Sequence, residues 1–335
     1  FGCAVPGIMA TRTLENAAER ERTIMLSPFF SCGAKLHIWA AFAGVFSGAY
    51  LFLNAELIVY LVYLLGIIIA IITAFILKRT VVKGETPPFI MELPLYHRPR
   101  FKNIFARLWE KIKHYLLRAG TVIAGATVVI WFLSSFDFSY QMVSSVENSI
   151  LGSLGKLITP LFIPLGFGLG IDGWKFVVAI LSGLIAKEIV IVTMGVFSGM
   201  GEDTFGEPQE LGNTALGAMM LGIGGMIGGI NVAIPAMFSF MAFNLLSVPC
   251  MAAVAAARGE LRNKKKLIKA IIFWILTAYI TSLIIFWTGT FILWNWIIAL
   301  IAMALIILIS ITFIILVQKG IIKLKRRYLN TEGEV

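Results

Sequence analysis

Three cysteines, Cys3, Cys32 and Cys250, are the residues of this sequence with the widest choice of chemistry. As thiolates they bind borderline and soft divalent cations; as thiols they are small apolar residues that pack against their neighbours. They form no CxxC pair and no even-numbered framework, which sets aside a disulfide scaffold and suits a reducing face. A glycine or a proline adjoins each of them: Gly2, Gly33 and Pro249. The second feature is Lys187-Glu188, two charges in the middle of the apolar block 174–199. Charge at such a depth is expensive and faces the protein interior rather than lipid. Successive helical residues diverge by about 100°, so the pair cannot neutralise itself on one helix face. Either the helix is unwound there or each charge has its own partner. Glu188 is then a carboxylate on a cation route, and Lys187 a tether to another acid or to loop carbonyls. A purely structural charge network fits the same residues equally well.

The elements that hold these groups must cross a membrane. Of the 335 residues, 59% are hydrophobic and only 14% charged, and the apolar residues fall into blocks long enough to span about 30 Å of hydrocarbon. Plain spans are expected at 36–53, 57–77, 119–136, 267–288 and 291–317. Lys35 before the first, and Lys78, Arg79 and Lys83 after the second, put both outer ends on the cytoplasmic side. After the prolines that end at Pro99, the stripe Phe101, Ile104, Phe105, Leu108, Trp109 and Ile112 predicts an amphipathic helix in the cytoplasmic interface, feeding into the third span. The net charge of +10 sits in patches beside apolar blocks, where it orients helices and meets anionic lipid; membrane lipid, and not nucleic acid, is the partner it implies. No GxxxxGK[ST] and no HExxH pattern occurs, and the one Gly-Lys pair, Gly155-Lys156, is followed by Leu157.

The middle of the chain is irregular. The stretch 156–173 is broken by Pro160, Pro164 and glycines, and the block 174–199 carries the charge pair. An acidic loop at Glu202, Asp203, Glu207 and Glu210 leads to a glycine-dense run. The basic residues after 258 and at the tail require 174–258 to cross an odd number of times; an acid-only loop favours one crossing with re-entrant hairpins. Irregular backbone at membrane depth is tolerated where it is buried in protein or lines a polar cavity, so 158–258 is expected to do the work. Asn231, after Gly228-Gly229, reads as a hairpin tip whose amide caps a half-helix or coordinates an ion. Met219, Met220, Met226, Met237 and Met241 read as packing, and His97 and His114 as surface groups. Glu92 reads as an anchor outside the membrane, and His37 opens a span. Arg12 and Arg258 close short helices, where positive charge complements the dipole.

Two segments echo each other: "GCAVPGIMATR" (2–12) and "SVPCMAAVAAAR" (247–258) share Val-Pro, a nearby cysteine, small residues and a closing Arg. Pro6 and Pro249 suit helix starts, and such pairs mark internal repeats of transporters with binding between broken helices. With "SPFFSCGAKL" (27–36), "MELPLYHRP" (91–99) and "LIAKEIVIVTMG" (184–195), the chain resembles the membrane part of the FeoB-type ferrous iron transporters. It departs at His37, where that family's "CGAKLP" segment usually has proline.

The resemblance implies an all-α polytopic transmembrane bundle with broken or re-entrant helices and two pseudo-repeated Gate units. The division it suggests is the end of the first Gate segment (1–35), two spans and a linker (36–99), and the interfacial helix with its span (100–136). The second Gate unit (137–260) and two spans with a basic tail (261–335) complete it. The implied function is import of Fe²⁺ as substrate across the inner membrane. Cys3, Cys32 and Cys250 would line the path, Glu188 support it, and Lys187, Asn231, Pro6 and Pro249 shape it, with free backbone carbonyls beside the cysteines sharing the ion. No cofactor is implied for this chain. GTP and Mg²⁺ belong to an N-terminal GTP-binding domain on the same or a separate polypeptide, for which this sequence, lacking an initiator Met, would be a fragment or one half. A small FeoA-like cytoplasmic protein is an implied partner, and a homo-oligomer is compatible. The rival readings are a nucleoside-type solute carrier, with aromatic and amide groups converging on the broken helices, and a membrane scaffold with inert thiols.

Overall fold

The computed structural model describes residues 2–14, 16–49, 54–80, 101–139, 141–143, 146–197, 230–261 and 263–294. Among these the architecture is all-α, the sole β pairing being an isolated bridge between Phe136 and Met142. The helices are α1 (Ala4–Ala10), α2 (Ala17–Leu26), α3 (Gly33–Ala49), α4 (Ala55–Thr80), α5 (Phe101–Ser135), α6 (Ile150–Phe162), α7 (Gly173–Ser182), α8 (Ile189–Phe197), α9 (Ile230–Leu246), α10 (Met251–Leu261) and α11 (Lys264–Trp294).

Three runs among the described residues are long and apolar enough to cross a membrane: Ala55–Lys78, Val232–Leu261 and Lys264–Phe291. The first and third correspond to the expected spans 57–77 and 267–288. Helix α4, about 39 Å long at 1.5 Å per residue, leaves Tyr60, Leu61, Ile68, Ile71, Ile72 and Phe75 on its surface. Such an apolar exterior matches hydrocarbon and not water. The second run, α9 with α10 across a break at 247–250, is mostly buried. The expected span at 291–317 lies almost wholly outside the described residues. The interfacial helix and the 119–136 span are one element and not two: α5 runs 35 residues unbroken, because no proline lies within it and Gly120 and Gly125 alone do not interrupt a helix.

Helix α9 is the hub. It runs through the core as an apolar cylinder, with Ala236, Met237, Phe240, Met241, Leu245 and Leu246 buried. Aromatic rings from three other segments converge on Phe240: Phe42 of α3 at 5.1 Å, Phe167 at 5.4 Å and Phe176 of α7 at 5.4 Å. Close approach of α9 and α11 is permitted by Gly289, whose absent Cβ would stand 2.9 Å from Pro235, as small residues allow between membrane helices. Trp274 Nε1 of α11 donates to Met25 O at 2.8 Å and Lys266 bonds Glu21 at 2.8 Å, which fastens α2 to α11.

The middle segment is broken as expected. Helix α6 spans 13 residues, about 20 Å, too short to cross, and carries Pro160. A single 3-10 turn then leads to Gly166 at φ 89, a left-handed conformation natural to glycine; a Cβ there would also strike the Phe286 ring. The block 174–199 is two helices, α7 and α8, separated by non-helical residues 183–188. Ser182 Oγ and Thr193 Oγ1, 3.0 Å apart, bridge the break.

Candidate functional site

Segments distant in sequence meet around one cavity of about 310 Å³. Cys3, Cys32 and Cys250 all line it, together with Lys35, Lys187, Glu188 and Pro249. Its position follows from four chain breaks. Cys3 immediately precedes α1 and holds an extended backbone, φ −95 and ψ 136. Cys32 precedes α3, Glu188 precedes α8 and Cys250 precedes α10. Four helix N-termini therefore start at the cavity wall, each presenting its first side chain. Elsewhere in the chain this position is filled by good capping groups: Asn16 accepts from Ala18 N at 2.9 Å and Ser149 from Gly152 N at 3.1 Å. A thiol is a weak acceptor, so cysteine at three such positions forgoes about 1 kcal/mol of capping each.

The backbone carbonyls of Cys32 and Cys250 themselves are engaged in their helices. Cys32 O accepts from Lys35 N at 3.0 Å and Leu36 N at 3.2 Å, and Cys250 O from Ala253 N at 2.9 Å and Val254 N at 3.1 Å. An N-cap carbonyl is the first acceptor of its helix, and both lone pairs are engaged. The sulfur atoms are left as the donors these two residues offer a ligand. Among the described residues no group of three or more His, Cys, Asp and Glu side chains is close enough to chelate a metal.

Lys187 and Lys35 are both buried, 3% exposed. The helix is unwound at Lys187, as one of the two sequence alternatives had it, and the ammonium donates to Ser247 Oγ at 2.9 Å, with no acid or carbonyl partner among the described residues. The loop before α10 reaches it first, because Met251 N bonds Leu184 O at 3.0 Å and draws the two segments together. Lys35, read from sequence as an orienting charge at a cytoplasmic helix end, instead points inward. Its Nζ donates to Leu245 O at 2.6 Å and Pro28 O at 2.7 Å. The signal that could have found it is a lone lysine three residues after a cysteine at the head of an apolar block. Each ammonium lies within electrostatic reach of Cys32 and Cys250. Glu188 is exposed at the cavity wall and has no ion-pair partner among the described residues.

The other sequence candidates fall elsewhere. Pro6 occupies the first turn of α1, behind the lining residues Cys3, Ala4 and Val5. Asn231 belongs to the first turn of α9, where Pro235 removes the N–H that would bond its carbonyl; the residues before Ile230, which a hairpin would need, lie outside the described residues. His37 lies within α3 with Nδ1 2.9 Å from Gly33 O, exposed and away from the cavity, so the helix continues where the family has proline. Met237 and Met241 are core packing. Glu92, His97, Met219, Met220, Met226 and the acidic loop lie outside the described residues. Arg12 does more than close α1: its Nε bonds Glu260 at 2.6 Å, joining the turn after α1 to the end of α10, while Glu260 is 5% exposed.

Comparison with known proteins shows what the chain is similar to. Residues 59–111 match the family described as ferrous iron transport protein B C terminus, and residues 116–264 match the Gate family, described as nucleoside recognition. The Fe(2+) transporter FeoB of Salmonella typhimurium (strain LT2) is 34% identical over 293 residues, covering 78% of this chain and 37% of that protein. FeoB of Shigella flexneri is 35% identical over 296 residues, and that of Escherichia coli (strain K12) 34% over 301 residues, with the same coverage. The chain thus spans little more than a third of the length of these curated relatives. No solved structure matches it. With both domains in order and this identity along most of its length, the chain belongs to the FeoB family and represents its C-terminal membrane portion.

Proposed function

We propose that this chain is the permease portion of a ferrous iron importer of the inner membrane, in which Fe²⁺ passes Cys3, Cys32 and Cys250 with Glu188 in support. The observation that carries the reading is that three thiols separated by up to 247 positions line one cavity. Thiolate, carboxylate and water suit a borderline ion such as Fe²⁺, and the lack of a preformed cage suits passage, which needs loose binding at several sites. Among the described residues the cavity wall offers one aromatic ring, Phe30, and no Asn or Gln, which favours a cation path over a nucleoside carrier. Two pseudo-repeated Gate units are part of the same proposal, supported by the α1 and α10 starts at Cys3 and Cys250. Gating is assigned to a GTP-binding domain outside this chain, with GTP and Mg²⁺ bound there, and an FeoA-like protein as its accessory.

The test is anaerobic Fe²⁺ uptake into vesicles carrying the intact protein or its Cys3→Ser, Cys32→Ser, Cys250→Ser triple variant. The expected result is loss of uptake in the triple variant at unchanged protein level. Equal uptake in both would remove the thiol path, and no uptake in either would favour the scaffold reading.

A further inference from the structure

We propose that Lys35 and Lys187 are positioning residues: they clamp the segment 245–250 from two sides and so set where the Cys250 thiol stands in the cavity. The inference rests on the permease reading, since it concerns a thiol assigned there to the ion path.

The segment has little structure of its own. Helix α9 ends at Leu246 and α10 begins at Met251, and Ser247 to Cys250 adopt neither helix nor strand. Ser247 N still bonds Phe243 O at 2.8 Å, but Pro249 has no N–H to offer. What holds the remainder comes from elsewhere in the chain. Lys35, in the first turn of α3, binds Leu245 O, and through its second bond to Pro28 O it ties the segment to the turn that leads to Cys32. Lys187, in the break between α7 and α8, binds Ser247 Oγ. Met251 N adds a backbone bond to the same break, at Leu184 O. The two lysines thus approach from the two cysteine-bearing and glutamate-bearing walls and close on one short strip. Cys250 is three residues beyond the second grip.

Neither lysine has a carboxylate partner among the described residues. Burying an ammonium without one is unfavourable, and side chains that serve only to fill space are apolar. Orientation of the helices in the membrane does not explain them either, because an orienting charge sits in the headgroup region. Charge-assisted hydrogen bonds to a last-turn carbonyl of α9 and to a linker with few backbone bonds of its own do explain them.

The inference is tested in membrane vesicles with the intact protein reduced to one of its three cysteines at a time, by the rate at which a charged, thiol-specific reagent modifies it. The clamp predicts that Lys187→Met and Lys35→Met each alter the Cys250 rate about tenfold, the effect of one charge-assisted hydrogen bond, while the Cys3 rate stays unchanged. Ser247→Ala, which removes one hydroxyl and no charge, should shift Cys250 in the same direction by about threefold. Lys187→Arg, which keeps a donor, should restore part of the parental rate. An unchanged Cys250 rate in both methionine variants, or parallel changes at Cys3 and Cys250, would overturn the clamp. Shifted Cys250 labelling in a protein that carries no Fe²⁺ would keep the clamp and remove the permease reading.

Discussion

The cavity has two walls that solve the same problem differently. The first, residues 2–36, presents Cys3 and Cys32 at the starts of two uninterrupted helices, with Cys3 exposed and Lys35 holding two carbonyls. The second, residues 183–188 with 247–252, presents Glu188 and Cys250 at a broken helix and a short linker, with Lys187 holding a single hydroxyl. Glycine environments show the same contrast. At Gly7 and Gly33 an added Cβ would meet nothing within 4 Å, whereas at Gly183 it would stand 2.3 Å from Val190 Cγ2. The first wall is built with room beside it, and the second is a tightly folded break. A cation path between them has one open side and one side whose geometry depends on close packing.

The largest expected effect is therefore at the break. Gly183→Ala forces α7 and the start of α8 apart and should destabilise the protein by about 2 kcal/mol, the usual result of overpacking. Thermal unfolding in detergent would show it, and an unchanged midpoint would mean that the second wall is no tighter than the first. A smaller loss is expected at the seam between the walls. Arg12→Ala leaves the Glu260 carboxylate buried without its partner, and because Arg12 is itself 58% exposed the loss should be about 1 kcal/mol. The change should be partly reversed by adding Glu260→Gln, which removes the stranded charge. The smallest effect has the opposite sign. Gly7→Ala lies inside α1 with open space around it and should stabilise by about 0.5 kcal/mol. A loss there would show that the first wall is also closely fitted.

Much of this arrangement was legible in the sequence, for reasons that are local. Pro160, Pro164 and the glycines predicted that 156–173 could not be a span, and α6 with its turn bears this out. Two charges in an apolar block predicted a disturbance at 187–188, since neither can be left in hydrocarbon and they cannot face each other on a helix. The direction of Lys35 was not legible. A lysine at the head of an apolar block looks the same whether it points to headgroups or inward, and only the arrival of Leu245 from 210 residues away decides it. The occupied carbonyls of Cys32 and Cys250 were also hidden, because a helix start is defined by bonds made downstream.

By itself the sequence determined where the chain can span, where it must break, and that three thiols flank breaks, because chain length, charge and backbone freedom act over a few residues. Tertiary structure alone decided that Cys3, Cys32 and Cys250 share one cavity, that Glu188 stands at its wall, and that two lysines grip the strip beside Cys250. Those are meetings between segments up to 247 positions apart, and the packing of α9 against its neighbours, not any local preference, brings them together.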